Sequence, residues 1–329
     1  MKINQFLYIL IASSTLGLFL FSCTNQMDKD EALSHLKAFD NEIIRLHDKL
    51  VETRPYLALK KLKTINNIPL PFFLTNQSEI TDTIEYNFTE NKGIFEHNVE
   101  CNMFEKKADS DSLVLLFKDA VNRNADVRLI VTEYDAKSTA SNFNIPTSLK
   151  AEMYIGNQQA MEINHYAEVN YGMPLKIDFK GKFDEYNISI QMSTKLRKKS
   201  GKLQCEILIS GSSGIILTWN VDANLGFEDD ASYYINKLLM KVELFPVIID
   251  INVYNKGIGR HSVDYVSDFN KNSRIKIYSK TDGRTIGIVK LKTRPGSDKL
   301  DFVVYYKDGS YEYIDDFIIS IRRIMSIKT

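Results

Sequence analysis

The side chains able to do acid–base, nucleophilic or metal chemistry are few and scattered. Five histidines occur, His35, His47, His97, His165 and His261. None forms a His-x-His or His-Glu-x-x-His pattern, so no metal ligand set is legible. The closest approach to a serine nucleophile is Ser210-Gly211-Ser212-Ser213-Gly214. It is one residue short of Gly-x-Ser-x-Gly and lies between two runs that read as antiparallel strands, so it reads as a turn. Gly257-Ile258-Gly259-Arg260 is a flexible connection rather than a phosphate loop. Adjacent carboxylates, Glu228-Asp229-Asp230 and Asp315-Asp316, bring the residue types of glycoside hydrolysis. Both read as helix starts, where the dipole favours negative charge.

The N-terminus carries a stronger signal. One Lys in Met1–Asn4 precedes an apolar run from Phe6 to Phe21, short for a bilayer span and suited to the hydrophobic part of an export signal. The run ends in Leu20-Phe21-Ser22-Cys23. That tetrapeptide resembles the lipobox of bacterial lipoproteins: an aliphatic residue, a tolerant position, a small residue, then Cys. The resemblance implies that residues 1–22 are a signal peptide and that Cys23 carries diacylglycerol and palmitate. Each buried CH₂ contributes about 0.8 kcal/mol, so one chain holds a protein reversibly and several hold it stably. The absence of Asp directly after Cys23 implies outer-membrane residence. Lys29-Asp30-Glu31 resembles a short export signal to the cell surface, and an acidic helix start explains it equally, so either membrane face stays open.

With Cys23 lipidated, Cys101 and Cys205 remain. The cell envelope permits a disulfide between them, and two separate buried thiols are the alternative. Both fall on apolar faces of expected strands, Cys101 with Phe95, Val99 and Met103, and Cys205 with Leu203 and Ile207. Asp82-Thr83-Ile84 and Asp111-Ser112-Leu113 resemble the Asp-Ser/Thr-aliphatic acceptor of envelope O-glycosylation, which implies Thr83 and Ser112 as sites. A cap residue at the start of an element is the structural alternative.

These residues must be positioned by a β-rich frame. The 329 residues carry 42 Lys plus Arg and 42 Asp plus Glu, so no global field draws in nucleic acid, and no nucleic-acid partner is expected. Lys195, Arg197, Lys198 and Lys199 read as a solvated hairpin tip. From Asp30 to Leu50 one amphipathic helix is expected, with Ala32, Leu36, Phe39, Ile43, Leu46 and Leu50 on its stripe and Asp40 among the solvated charges. A second helix is expected over Pro55–Ile65, with Tyr56, Leu59, Leu62 and Ile65 inward. From about Asp82 to Ala223 the period is two. Ile188, Ile190 and Met192 alternate with polar residues, as do Leu203, Cys205, Ile207 and Ile209, and Ile215, Leu217, Trp219 and Val221. Short Gly/Asn/Ser turns between such runs imply antiparallel neighbours.

Beyond about Phe227 the pattern is mixed. A helix is expected over Asp230–Leu244, a strand from Pro246, a short helix over His261–Asn270, then strands Arg274–Ser279, Thr285–Lys292 and Leu300–Tyr306, and a closing helix Asp315–Ile327. The fold class is therefore α+β, a long antiparallel meander with one apolar face covered by N-terminal and C-terminal helices. The expected divisions are 1–22 signal, 23–29 lipidated linker, 30–68 helices, 69–226 meander and 227–329 a smaller α+β region. The style resembles β-rich Bacteroidota-type lipoproteins. Three functions fit: a binding or scaffold module without catalysis, an apolar-ligand carrier with a half-barrel cavity, or a glycan-acting enzyme of the envelope. No cofactor is expected, and the one partner legible is the membrane, through Cys23.

Overall fold

The computed structural model describes residues 26–70, 87–122, 124–138, 144–170, 173–227, 233–255, 264–297 and 299–320. Residues 1–22, expected to be a signal, Cys23 and Thr83 lie outside them, as do His261, Glu228-Asp229-Asp230 and Gly257–Arg260. The described residues are mostly antiparallel β-sheet with helices near both ends of the chain, an α+β fold. Two compact units form, one from residues up to Ile44 together with Asn236 onward, the other from Arg45–Ile235. Helix α1 (Lys29–Val51) and strand β11 (Tyr233–Leu244) each contain a division point.

In the unit Arg45–Ile235, helix α2 (Arg54–Leu62) starts with Pro55 in its first turn, where a missing N–H costs nothing. Pro55, Ala58 and Leu62 form its buried face, whereas Tyr56, expected inward, is exposed. Steps of three and four select that face from the small Ala58 rather than from the aromatic ring, which leaves the backbone close to the sheet. The sheet begins with β1 (Gly93–Asn98), β2 (Met103–Ala108) and β3 (Leu113–Lys118). Strand β1 pairs antiparallel with β2 and parallel with β3. The chain between β1 and β3 contains β2 itself, long enough for the crossover a parallel pair needs.

A strict meander follows: β4 (Asp126–Ser138), β5 (Asn144–Ile155), β6 (Gln158–Asn170), β7 (Met173–Phe183), β8 (Tyr186–Arg197), β9 (Ser200–Gly211) and β10 (Gly214–Phe227). These strands run to 14 residues, well beyond the usual five or six. Their turns are short. At Gly156-Asn157 the glycine sits at φ +60°, a conformation that disfavours any Cβ. Helix α2 and its following turn pack Ala58, Leu62, Ile65, Ile68 and Leu70 onto Leu113, Leu115, Val127, Leu129, Val131, Met153 and Met161 of β3–β6. That is the core of this unit.

In the other unit, α1 contributes Ala32, Leu36 and Phe39 as expected, but Asp40 is buried rather than solvated. Its carboxylate accepts from the Ile319 and Ser320 amides at 3.3 and 2.9 Å, which satisfies it. The expected helix Asp230–Leu244 is instead strand β11. The apolar run there fits both periods, and cross-strand pairing of Leu238, Met240, Val242 and Leu244 with β12 (Val247–Tyr254) selects period two. Helix α3 (Tyr265–Asn272) precedes β13 (Ser273–Ser279), β14 (Thr285–Thr293), β15 (Leu300–Tyr305) and β16 (Tyr311–Tyr313). The Asp-Gly turns are found where the sequence places them, with Gly283 at φ +72° and Gly309 at φ +80°. Helix α4 (Ile314–Phe317) stops where a longer helix was expected, because the amides of Ile319 and Ser320 turn to Asp40. Residues 321–327 of that expected helix lie outside the described residues.

Three contacts fix α1 on this sheet. The Met27 amide donates to the Thr285 carbonyl at 2.9 Å. Arg284 forms a two-pronged pair with Glu31, and its Nε reaches Asp282 at 2.6 Å. Lys29 pairs with Glu312 at 2.9 Å and lies over the Tyr306 ring.

Candidate functional site

The residues singled out for chemistry do not converge. His47 pairs with Asp48, His97 with Asn102, and the His165 Nε2 lies 3.0 Å from the Pro146 carbonyl. Asp315 reaches Lys299 and Asp316 reaches Arg294, so that carboxylate pair is engaged by cations. Among the described residues, no group of three or more His, Cys, Asp or Glu could hold a metal ion. Ser212 and Ser213 lie in the turn between β9 and β10, as the reading of Ser210–Gly214 requires. Cys101 and Cys205 are free thiols. Cys101, expected on an apolar strand face, lies exposed in the β1–β2 turn, because the pairing Asn98 with Met103 closes the hairpin around it. Cys205 is half-buried on β9, and burial pushes its thiol pKa up, which disfavours the reactive thiolate. Ser112 is half-buried before β3, and its carbonyl accepts from the Gly93 amide at 3.0 Å.

Two surfaces of the unit Arg45–Ile235 stand out. The first is a polar cleft of about 790 Å³ beside the start of α2. Thr53, the residue before the helix, makes no capping bond with its side chain. Asp184 supplies one from the β7–β8 turn: its Oδ2 accepts from the Arg54 amide at 2.9 Å and its Oδ1 from the Arg54 guanidinium at 3.0 Å. Arg54 also donates to Gln158 at 3.2 Å. The cleft thus holds a carboxylate, but both oxygens of Asp184 are committed to the helix start. Sequence reading missed this pair, since its members are far apart in the chain. The uncapped Thr53-x-Pro55 start was the one available signal.

The second surface is the apolar face of β6–β10. Cross-strand register aligns its side chains in rows, because directly paired residues share a face. One row runs Ile163, Gly181, Ile188, Ile209, the last pairing by Leu217 on β10. The next runs His165, Phe179, Ile190, Ile207, Trp219. A third runs Ala167, Ile177, Met192, Cys205, Val221. The opposite face carries Glu162, Lys182 and Asn187 in one row and Asp178, Gln191, Glu206 and Asn220 in another. At Gly181 the Phe183 and Phe179 rings lie over the backbone, where a Cβ would fall 2.8 Å and 3.0 Å from them.

Burial separates this face from the core. Leu113, Leu115, Val127 and Met153 on β3–β5 are fully buried, whereas Ile177, Phe179, Ile188, Ile190, Ile207 and Ile209 are half-buried and Trp219 is 38% exposed. The rows carry few hydrogen-bonding groups, namely the His165 ring, the Cys205 thiol and the Trp219 indole N–H. The His165 ring is engaged by a carbonyl, and the Cys205 thiol is held neutral. Such a face presents apolar contact surface.

No family model matches the chain, nor does any curated protein or solved structure. Among the described residues no helix is long and apolar enough to cross a membrane.

Proposed function

We propose that the chain is a lipid-anchored binding module of the bacterial outer membrane, held by Cys23 and without catalysis of its own. Its ligand surface is the apolar face of β6–β10, and its ligand is an acyl-chain-like apolar molecule. One observation carries the ligand class: Ile177, Ile188, Ile190, Ile207, Ile209 and Val221 of these rows are aliphatic and half-buried, not closed into the core. Apolar surface of that extent is stabilised by whatever removes it from water. An acyl chain does so without asking for a hydrogen bond. A tethered protein with several acyl chains of its own is a poor shuttle, so the ligand is accepted in place.

Two experiments test the two halves. Metabolic labelling with palmitate is expected to mark the wild-type chain and not Cys23→Ser; equal labelling, or none, overturns the anchor. Native mass spectrometry of full-length Cys23→Ser, followed by organic extraction, is expected to show one stoichiometric lipid. A clean apo mass overturns the acyl-chain ligand.

A further inference from the structure

The sheet of residues 236–320 has two unlike faces. One is apolar and receives α1, as the contacts of Met27 and Lys29 show. The other is rich in cations and tyrosines. On β11 and β13 it carries Lys241, Arg274 and Lys276, aligned through Asp250 and Asn252 of β12. On β14 it carries Lys290 and Lys292, followed by Arg294. Three of its tyrosines come from the last two strands, where Tyr305 faces Tyr311 and Tyr313 faces the buried Val303.

Rings and cations are interleaved. Lys292 Nζ lies 3.7 Å from the Tyr311 ring centre, Arg294 lies 4.3 Å from that of Tyr313, and Lys290 lies 5.4 Å from that of Tyr305. Tyr305 and Tyr311 are 5.4 Å apart. The carboxylates on this face are Glu243, Asp250 and Asp301, with Asp315 and Asp316 at its edge on Lys299 and Arg294, and the cations outnumber them. Two of the first three are already matched: Glu243 by Lys241 and Lys280, and Asp301 by Arg294 and Lys299. In a chain of zero net charge this is a segregated positive surface. Tyrosine beside lysine is also the pairing that suits a membrane–water interface, where rings sit at headgroup depth and ammonium groups meet phosphates.

We propose that this basic, tyrosine-bearing face docks onto an anionic lipid surface and orients residues 236–320 on the membrane that carries the anchor. The proposal rests on the lipoprotein reading for its choice of partner. Cys23 precedes the first residue of α1, Lys29, by so few residues that the tether spans at most about 20 Å. A headgroup surface is therefore the nearest anionic partner. Each Lys or Arg at such a surface adds attraction that falls off within a Debye length.

The test is vesicle co-sedimentation of full-length Cys23→Ser, so that no acyl group contributes. Vesicles of phosphatidylcholine alone are compared with vesicles containing phosphatidylglycerol. Binding through the N-terminal apolar run is common to both; the face is expected to add binding to the anionic vesicles alone. The triple change Arg274→Gln, Lys276→Gln, Lys290→Gln is expected to weaken that added binding by roughly 100-fold. Raising salt on the unchanged chain removes it without any substitution, which covers a variant that fails to fold. Equal binding to both vesicle types, or salt-insensitive binding, overturns the proposal. Anionic binding that survives the triple change places the contact elsewhere and overturns it too. Palmitate labelling of the wild type reads the anchor separately, so the two readings fail independently.

Discussion

Strands β3–β5 and β7–β9 each send every second apolar side chain to one face, yet only the first group is closed into a core. Leu113, Leu115 and Phe117 alternate with half-buried or exposed neighbours, and all three are buried. Ile188, Ile190 and Met192 alternate as cleanly, and all three stay half-buried. The difference lies outside the strands. Leu62, Ile65, Ile68 and Leu70, on α2 and the turn after it, lie over the first group. The second group belongs to the same sheet and touches that cluster through Phe183, at the end of β7. Alternation thus specifies which side chains share a face. Whether the face becomes core or stays open depends on what packs on it.

Truncation breaks or sharpens this contrast most directly. Leu115→Ala and Met153→Ala are expected to cost about 2–5 kcal/mol each in urea unfolding, because each leaves a cavity in a closed core. Ile190→Ala, on the half-buried face, is expected to cost about 1 kcal/mol or less. Equal losses at the two places would dissolve the distinction. Asp184→Ala removes the outside cap of α2, the helix that makes the difference. It is expected to cost about 1 kcal/mol, with Asp184→Asn retaining part of it, as read by the same unfolding midpoint.

The smallest effect is the acid response of the α1 clip. Arg284 beside Asp282 holds that carboxyl down to about 2 from its ordinary value near 3.8. A depressed folded-state pKa gives stability that is present above about pH 4 and lost as pH falls towards 2. The carboxyl is exposed, so the loss is small. Asp282→Asn is expected to flatten the fall in urea midpoint over that window, and a fall identical to wild type would contradict the pairing.

The meander, its turns and its apolar face were legible because period two and Gly-containing turns are local signals. The chain at 233–244 misled, since Tyr233, Tyr234, Leu238 and Met240 fit a helical stripe until pairing with β12 chose the strand. Asp40 misled for a related reason: its partners, the Ile319 and Ser320 amides, lie at the far end of the chain. The apolar face of β6–β10 was half legible. The alternation along each strand could be written from the sequence, but the rows that register makes of it and their depth of burial could not, because these depend on pairing and on where α2 packs. The basic face showed its period-two pattern in Lys290-x-Lys292-x-Arg294 and Tyr311-x-Tyr313, but the register that joins them did not.

Trp219 is the single tryptophan of the chain and sits on the proposed ligand face, paired with Ile207. Its emission therefore reports on that face alone. Titrating Cys23→Ser with a long-chain fatty acid is expected to give a saturable blue shift that Ile190→Asp abolishes. No shift, or the same shift in both chains, would contradict a ligand on the face of β6–β10.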